Sequence, residues 1–338
     1  MRYRRMGDSS LKLSEIAFGC GGNAGLMTRG SPAEQTRAIA RALELGITYF
    51  DNAPDYAAGV AEQNLGRALR ELKARPIVNS KVEIRAADLG DIAGHVVRSV
   101  DASLARLGLE HLDIVQIHNG PSLRNPGIEG KDYRQLWIED YLRPNGALEG
   151  VHRLLKAGKA RYAGFICRGN DIEAVRKLFD TGVFKLINVP YTLVNPTAGY
   201  EKPADLDAKS DFGGVLNEAH SRGIGAAIYS PLASGLITEE TADGRGQHPL
   251  ARVNAEGETA LRHQKIAQSL RFLGEREGLT LPQIGYRFIL DHTGVTTVLG
   301  GFSSAEQIEQ LVPVTEAAPF NPEAMARLNA LWASGFGV

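Results

Sequence analysis

Four polar residues of complementary chemistry stand out in the 338-residue chain: Asp51, Tyr56, Lys81 and His118. A free phenol has a pKa near about 10, which makes it a poor proton relay at neutral pH unless a neighbouring cation favours the phenolate. Lys81 is the candidate cation, and its predicted effect is to pull the Tyr56 pKa down. An ammonium withdrawn from water needs an opposing charge, which Asp51 supplies in this reading. His118 then donates to, or orients, a substrate oxygen, so the set holds a proton donor against a carbonyl. Taken singly, a tyrosine in a turn or a histidine after an apolar strand is an ordinary packing residue; the argument rests on all four arriving at one place.

The elements that must bring them together read as short apolar runs, each followed by turn residues and a helical period. Strands are expected at residues 16–19, 48–51, 77–81, 112–118, 161–166, 186–190, 224–229 and 296–300. Alternation with helices means parallel neighbours joined by right-handed crossovers, which leaves an open doubly wound sheet or a closed barrel. The first strand is not followed by Gly-x-Gly-x-x-Gly, and Gly19–Gly22 does not supply it, which argues against the open dinucleotide-binding sheet. The expectation is a (β/α)8 TIM barrel forming one domain over residues 1–338, with the site at the carboxyl ends of its strands. There Asp51 ends the second strand, Tyr56 follows it in the loop, Lys81 ends the third and His118 ends the fourth.

Local signals support this frame. A helix over residues 32–45 has Ser31 as N-cap, Pro32 at its first position and Gly46 as its stop; others are expected over 61–72, after Gly59, and over 91–107, ending at Gly108. Residues 1–14 read as a hairpin turning at Gly7-Asp8 that could plug the bottom of the barrel. Three connections, 119–144, 230–256 and 313–338, exceed simple turns. Tyr133, Trp137, Tyr141, Trp332 and Phe336 either line an apolar pocket or staple these segments to the rim, and the pattern leaves both open.

With 38 Lys and Arg against 39 Asp and Glu, and no block of like charge, the chain lacks the electrostatic footprint of a nucleic-acid binder. The basic N-terminus precedes no secretory apolar region, and no run reaches the length of a membrane span, so a cytoplasmic protein is expected. Cys20 and Cys167 are too few for a disulfide framework and lack zinc-site spacing, so a reducing compartment and no metal are expected.

Residues Tyr49-Phe-Asp-Asn-Ala-Pro-Asp-Tyr56, followed by Glu62 and Leu65-Gly66-Arg67-Ala68-Leu69, resemble the aldo-keto reductase signature. The likeness continues through Asn79-Ser80-Lys81, Asp113-Ile-Val-Gln-Ile-His118, Ala160-Arg-Tyr-Ala-Gly164, Tyr229-Ser-Pro-Leu232 with Gly235-Leu236, and Gly301-Phe-Ser-Ser304 with Gln307. It implies a nicotinamide-dependent oxidoreductase in which Tyr56 gives a proton to a carbonyl or takes one from an alcohol, opposite the hydride. It also implies a cofactor site: Asp51 near the nicotinamide ribose, Asn188 at the carboxamide, Tyr229 stacked on the ring, Ser230, Leu232 and Gly235 along the pyrophosphate, and Gly301, Ser303, Ser304 and Gln307 at the adenosine end. NADP(H) is favoured by the family's habit and NAD(H) is the second candidate.

Departures from the pattern accompany the likeness. Ile166-Cys167 replaces the usual Ser-Asn pair and Asn188 a glutamine, so carboxamide recognition must differ; Ala57 replaces the glycine after the tyrosine, and Leu311 an asparagine. No arginine occupies Gly301–Ser304 to fork onto an extra phosphate, and Arg245 and Arg252 are the candidate basic residues to compensate. The Asp-Asn-Ala-Pro-Asp-Tyr form and the early Gly-Cys-Gly-Gly-Asn stretch look similar to the aldose 1-dehydrogenase branch, which suggests a sugar substrate. The alternative from another class is a cofactor-binding regulatory subunit with little turnover.

Overall fold

Eight parallel strands close on themselves in the computed structural model, which describes every residue except 128–133, 170, 209, 246–249, 251–254 and 338. They are β1 (Ile16–Gly19), β2 (Tyr49–Asp51), β3 (Ile77–Val82), β4 (Leu112–Ile117), β5 (Ala160–Ile166), β6 (Phe184–Pro190), β7 (Gly225–Tyr229) and β8 (Thr297–Gly301). Neighbours pair in chain order, and β8 returns to β1, which is the (β/α)8 barrel rather than an open sheet. Observed strand ends match the expected ones to within two residues, with β1 the same at both ends, and His118 falls just past β4.

Alternation along the strands sorts the barrel interior into layers. Ala17, Tyr49, Ile114, Leu186, Ala227 and Leu299 form one buried apolar cluster with Met6, Leu11 and Leu13 of the N-terminal segment. That segment is a hairpin: Tyr3–Arg5 pairs antiparallel with Lys12–Ser14, and the Met6 amide donates to the Leu11 carbonyl at 2.9 Å. It plugs the barrel as anticipated, with a broader turn than Gly7-Asp8 alone. Gly7 has φ +54°, and a Cβ there would stand 2.0 Å from the Gly223 carbonyl oxygen, so glycine lets the turn seat against the start of β7.

Two residues further along each strand the interior becomes polar, with Asp51, Asn79, Gln116 and Asn188 all buried. Gly164 on β5 makes this possible, because a Cβ there would stand 2.3 Å from the Leu186 carbonyl oxygen and 3.1 Å from the Gln116 side chain. The outer helices follow their terminal signals. Pro32–Glu44 starts in a full capping box between Ser31 and Glu34, and Ile92–Leu107 runs from its Asp91 N-cap to left-handed Gly108. Val60–Leu72 begins after left-handed Gly59.

The long connections carry structure of their own. Gly120–Ser122 pairs parallel with Gln135–Trp137, ahead of the short helix Ile138–Leu142. Trp137 donates to the Leu123 carbonyl at 3.2 Å, Tyr141 to that of Asn119 at 2.5 Å, and Trp332 to that of Leu193 at 2.7 Å. Trp137, Tyr141, Trp332 and Phe336 do not line the cleft, so these aromatics are staples; Tyr133 lies outside the described residues. Among the described residues, no helix is long and apolar enough to cross a membrane.

If the hairpin is an integral plug, Leu13→Ala leaves a cavity at the barrel floor and costs about 2–5 kcal/mol in urea unfolding. A loss below about 0.5 kcal/mol would mean that the segment only rests on the surface.

Candidate active site

Lys81 stands at the centre of the polar mouth, 2% exposed, and its three N–H donors have three partners. Nζ donates to Asp51 Oδ1 at 2.5 Å, to the Asn52 carbonyl at 2.7 Å and to the Tyr56 hydroxyl at 3.4 Å. Burial is the largest single influence and opposes the charge on Lys81, but Asp51, Tyr56 and Asp55 together outweigh it and raise the lysine pKa, so the ammonium is retained. β2 and β3 make this contact because Asp51 pairs with Asn79 in the ladder and Lys81 lies two residues further along on the same face.

The other Asp51 oxygen closes a ring of side chains. Oδ2 accepts from Asn79 Nδ2 at 2.7 Å and from Asn188 Nδ2 at 3.3 Å. Gln116 joins those amides across the barrel, accepting from Asn79 at 2.8 Å and donating to Asn188 Oδ1 at 2.9 Å. A carboxylate held this way on both oxygens has a fixed rotamer, and with it the ammonium position is fixed. On the opposite, helix-facing side of β3, Ser80 Oγ donates to buried Glu62 at 2.5 Å, whose second oxygen pairs with Arg106 at 2.6 Å.

Tyr56 arrives on a strained turn. Ala57 and Ala58 have φ of 52° and 54°, a left-handed pair where the family's pattern has glycine after the tyrosine. Burial, with Asp51 and Asp55 adding to it, pushes the phenol up to about 12 despite the opposing Lys81 charge. The expectation of a phenol made acidic at neutral pH is therefore corrected. The cation is where it was predicted, but desolvation outweighs it, and the Tyr56 phenol keeps its proton near neutral pH.

His118 meets the Tyr56 ring edge-on, with centroids 6.1 Å apart. Asp55 Oδ1 lies 3.2 Å from its Nδ1, and Arg168 Nη2 lies 2.8 Å from its Nε2. An arginine can only donate, so Nε2 accepts and the ring proton sits on Nδ1, facing Asp55. Burial lowers the His118 pKa despite Asp55, and the imidazole is neutral near pH 7.

These residues open into a cleft of about 1510 Å³, larger than the space a small substrate alone needs. Of the predicted cofactor residues, Asp51, Asn188, Tyr229, Ser230, Leu232, Gly235, Gly301, Ser303 and Gln307 line it. Ser304 does not. Ser303 is also engaged, donating to the Ala24 carbonyl at 2.7 Å while its amide donates to Gln307 at 2.7 Å. The Ser230–Gly235 segment holds left-handed backbone at Ser230, Ala233 and Ser234, the kind of strain that collects around ligands. Asn188 spends its amide on Gln116 and Asp51, and Ile166 offers the cleft an apolar wall; Arg245 lines the cleft, whereas Arg252 lies outside the described residues.

Four residues of this site had no role assigned from the sequence: Asn79, Asp55, Gln116 and Arg168. The signal for Gln116 and Asn79 was there, since each is a polar residue inside an apolar strand run. Arg168, just past the Ile166-Cys167 replacement, carries no such signal, because a cation after a strand end is ordinarily solvated.

Comparison with known proteins points the same way. The model of the aldo/keto reductase family matches residues 15–333. L-glyceraldehyde 3-phosphate reductase of Escherichia coli (strain K12) is 27% identical over 358 residues, covering 99% of this chain and 93% of that protein. L-galactose dehydrogenase of Arabidopsis thaliana is 25% identical over 339 residues, covering 98% and 94%. Among solved structures, the holo form of aldo-keto reductase AKR11C1 from Bacillus halodurans superposes with a TM-score of 0.70 at 23% identity, over 98% of this chain and 96% of that one, a likeness of fold.

The Lys81–Asp51 pair yields a test on stability. Lys81→Met leaves a buried carboxylate without its counter-ion and is expected to cost about 3–5 kcal/mol. Adding Asp51→Asn should recover a large part of that loss in the same unfolding assay; equal losses for single and double variants would show that the two charges do not depend on each other.

Proposed function

The chain belongs to the aldo/keto reductase family of oxidoreductases, and from that premise we propose that it catalyses nicotinamide-dependent interconversion of a carbonyl and an alcohol on a small molecule, with Tyr56 as the general acid. The contact that carries the reading is Lys81 Nζ within reach of both Asp51 and the Tyr56 hydroxyl, with His118 at the ring edge. The cofactor, when bound, supplies or accepts the hydride. The chain's own residues orient the substrate oxygen between Tyr56 and the His118 side, and Tyr56 Oη moves the proton while Lys81 stabilises the charge that develops on it.

A phenol whose pKa stands at about 12 is protonated throughout the neutral range, which supports reduction as the direction in which Tyr56 acts without first losing its proton. The names of two relatives, a reductase of a triose phosphate and a dehydrogenase of a hexose, support a sugar or sugar-like substrate. The intact set of four side chains gives no support to a regulatory subunit without turnover. Two buried thiols held unpaired, with pKa values pushed up by burial, suit the cytoplasm. One domain over residues 1–338 is the reading that a single closed barrel favours.

Asp51, Tyr229, Ser230, Leu232 and Gly235 fit the nicotinamide and pyrophosphate portions, and Gly301, Ser303 and Gln307 the adenosine end, since all of them line the cleft. Asn188 fits less well, since its polar groups already have protein partners, and Ser304 does not line the cleft. NADP(H) remains the proposed cofactor. Arg245 supplies a cation on the cleft wall, but it is shared with Asp243 at 2.9 Å, so the preference over NAD(H) is expected to be modest.

Fluorescence titration should show NADPH binding more tightly than NADH by less than about tenfold, equivalent to about 1.4 kcal/mol. Tyr56→Phe should keep that binding and lose turnover by about 10²–10⁴-fold, with wild-type kcat for reduction flat across about pH 7–9. Unchanged turnover in the variant would refute the assignment.

A further inference from the structure

Arg168 is a cation that the proton-transfer chemistry does not call for. It follows β5 directly, lines the cleft, and sets Nη2 2.8 Å from His118 Nε2. That hydrogen bond uses one of the five N–H donors of a guanidinium. Among the described residues no carboxylate lies within ion-pair distance of Arg168, and the acidic groups on that side are engaged elsewhere: Asp55 with His118 at 3.2 Å and Glu83 with Arg85 at 2.9 Å. The charge of Lys81, by contrast, is balanced by Asp51.

We propose that Arg168 is a specificity-determining residue that binds an anionic group, a carboxylate or a phosphate monoester, on the substrate next to the reacting carbonyl. The inference rests on the oxidoreductase reading above and deepens it by naming a substrate class. A neutral imidazole accepting from a guanidinium is a donor taken out of use, so the N–H groups facing a substrate on the His118 side belong to Arg168. A planar fork of donors with a permanent charge matches a carboxylate or phosphate far better than a neutral hydroxyl or amide. The charge of Arg168 acts on both His118 and Tyr229, and all three residues line the cleft.

The test compares matched carbonyls on the full chain with NADPH: glyceraldehyde 3-phosphate against glyceraldehyde, and glyoxylate against methylglyoxal. Wild-type kcat/KM should favour the charged member of at least one pair by about 100-fold or more, the phosphate or carboxylate arm identifying the source of the anion. Arg168→Met should collapse that ratio to below about fivefold, chiefly through KM, while Arg168→Lys recovers part of it and the NADPH dissociation constant moves by less than about threefold. Equal kcat/KM within both wild-type pairs would overturn the anion subsite and leave the reductase standing. Uniform loss on all four carbonyls together with weakened NADPH binding would overturn it in favour of a cofactor-holding arginine. Cofactor binding with no turnover of any carbonyl would remove the oxidoreductase reading itself.

Discussion

An ammonium group withdrawn from water at the end of a barrel has to be neutralised and hydrogen-bonded, and the rest of the site follows from how Lys81 meets that demand. Its three donors are spent on Asp51, the Asn52 carbonyl and Tyr56, so its position is set by the backbone of β2 and by one carboxylate. Asp51 is in turn set by Asn79 and Asn188, and those two by Gln116. The phenol at the surface of this stack is therefore supported from four strands of the barrel.

The stack rests on an apolar floor. Met6, Leu11 and Leu13 close the barrel from below, and the layer they meet is apolar throughout, so the amide ring above it is shielded from solvent on that side. Shielding has two consequences that pull in opposite directions. It strengthens the Lys81–Asp51 attraction, and it raises the Tyr56 pKa because a phenolate would be poorly solvated there. The second effect is the larger, so the phenol keeps its proton near neutral pH, beside the left-handed backbone of Ala57 and Ala58.

Much of this frame was legible in the residues. The eight strands were readable because each is a short apolar run ended by turn residues, and Asp51, Lys81 and His118 stood out as charged or polar groups at their carboxyl ends. Asn79 and Gln116 were visible as polar interruptions, but their partnership depends on which strands become neighbours and on the stagger between them, which only closure of the barrel fixes. The direction of the Tyr56 shift was misread because residue types reveal a nearby cation but not the degree of burial that competes with it. The aromatic residues of the long connections illustrate the same limit: Trp137, Tyr141 and Trp332 bond to backbone carbonyls, and no spacing rule distinguishes a staple from a pocket wall.

The most direct measurement is a near-ultraviolet difference titration of the wild-type chain against Tyr56→Phe, which isolates ionisation of this one phenol. The Tyr56 contribution should be absent below about pH 11 and rise towards a midpoint at about 12. A midpoint near neutrality would contradict the account, since the Lys81 charge would then outweigh burial and the residue would stand ready as a base.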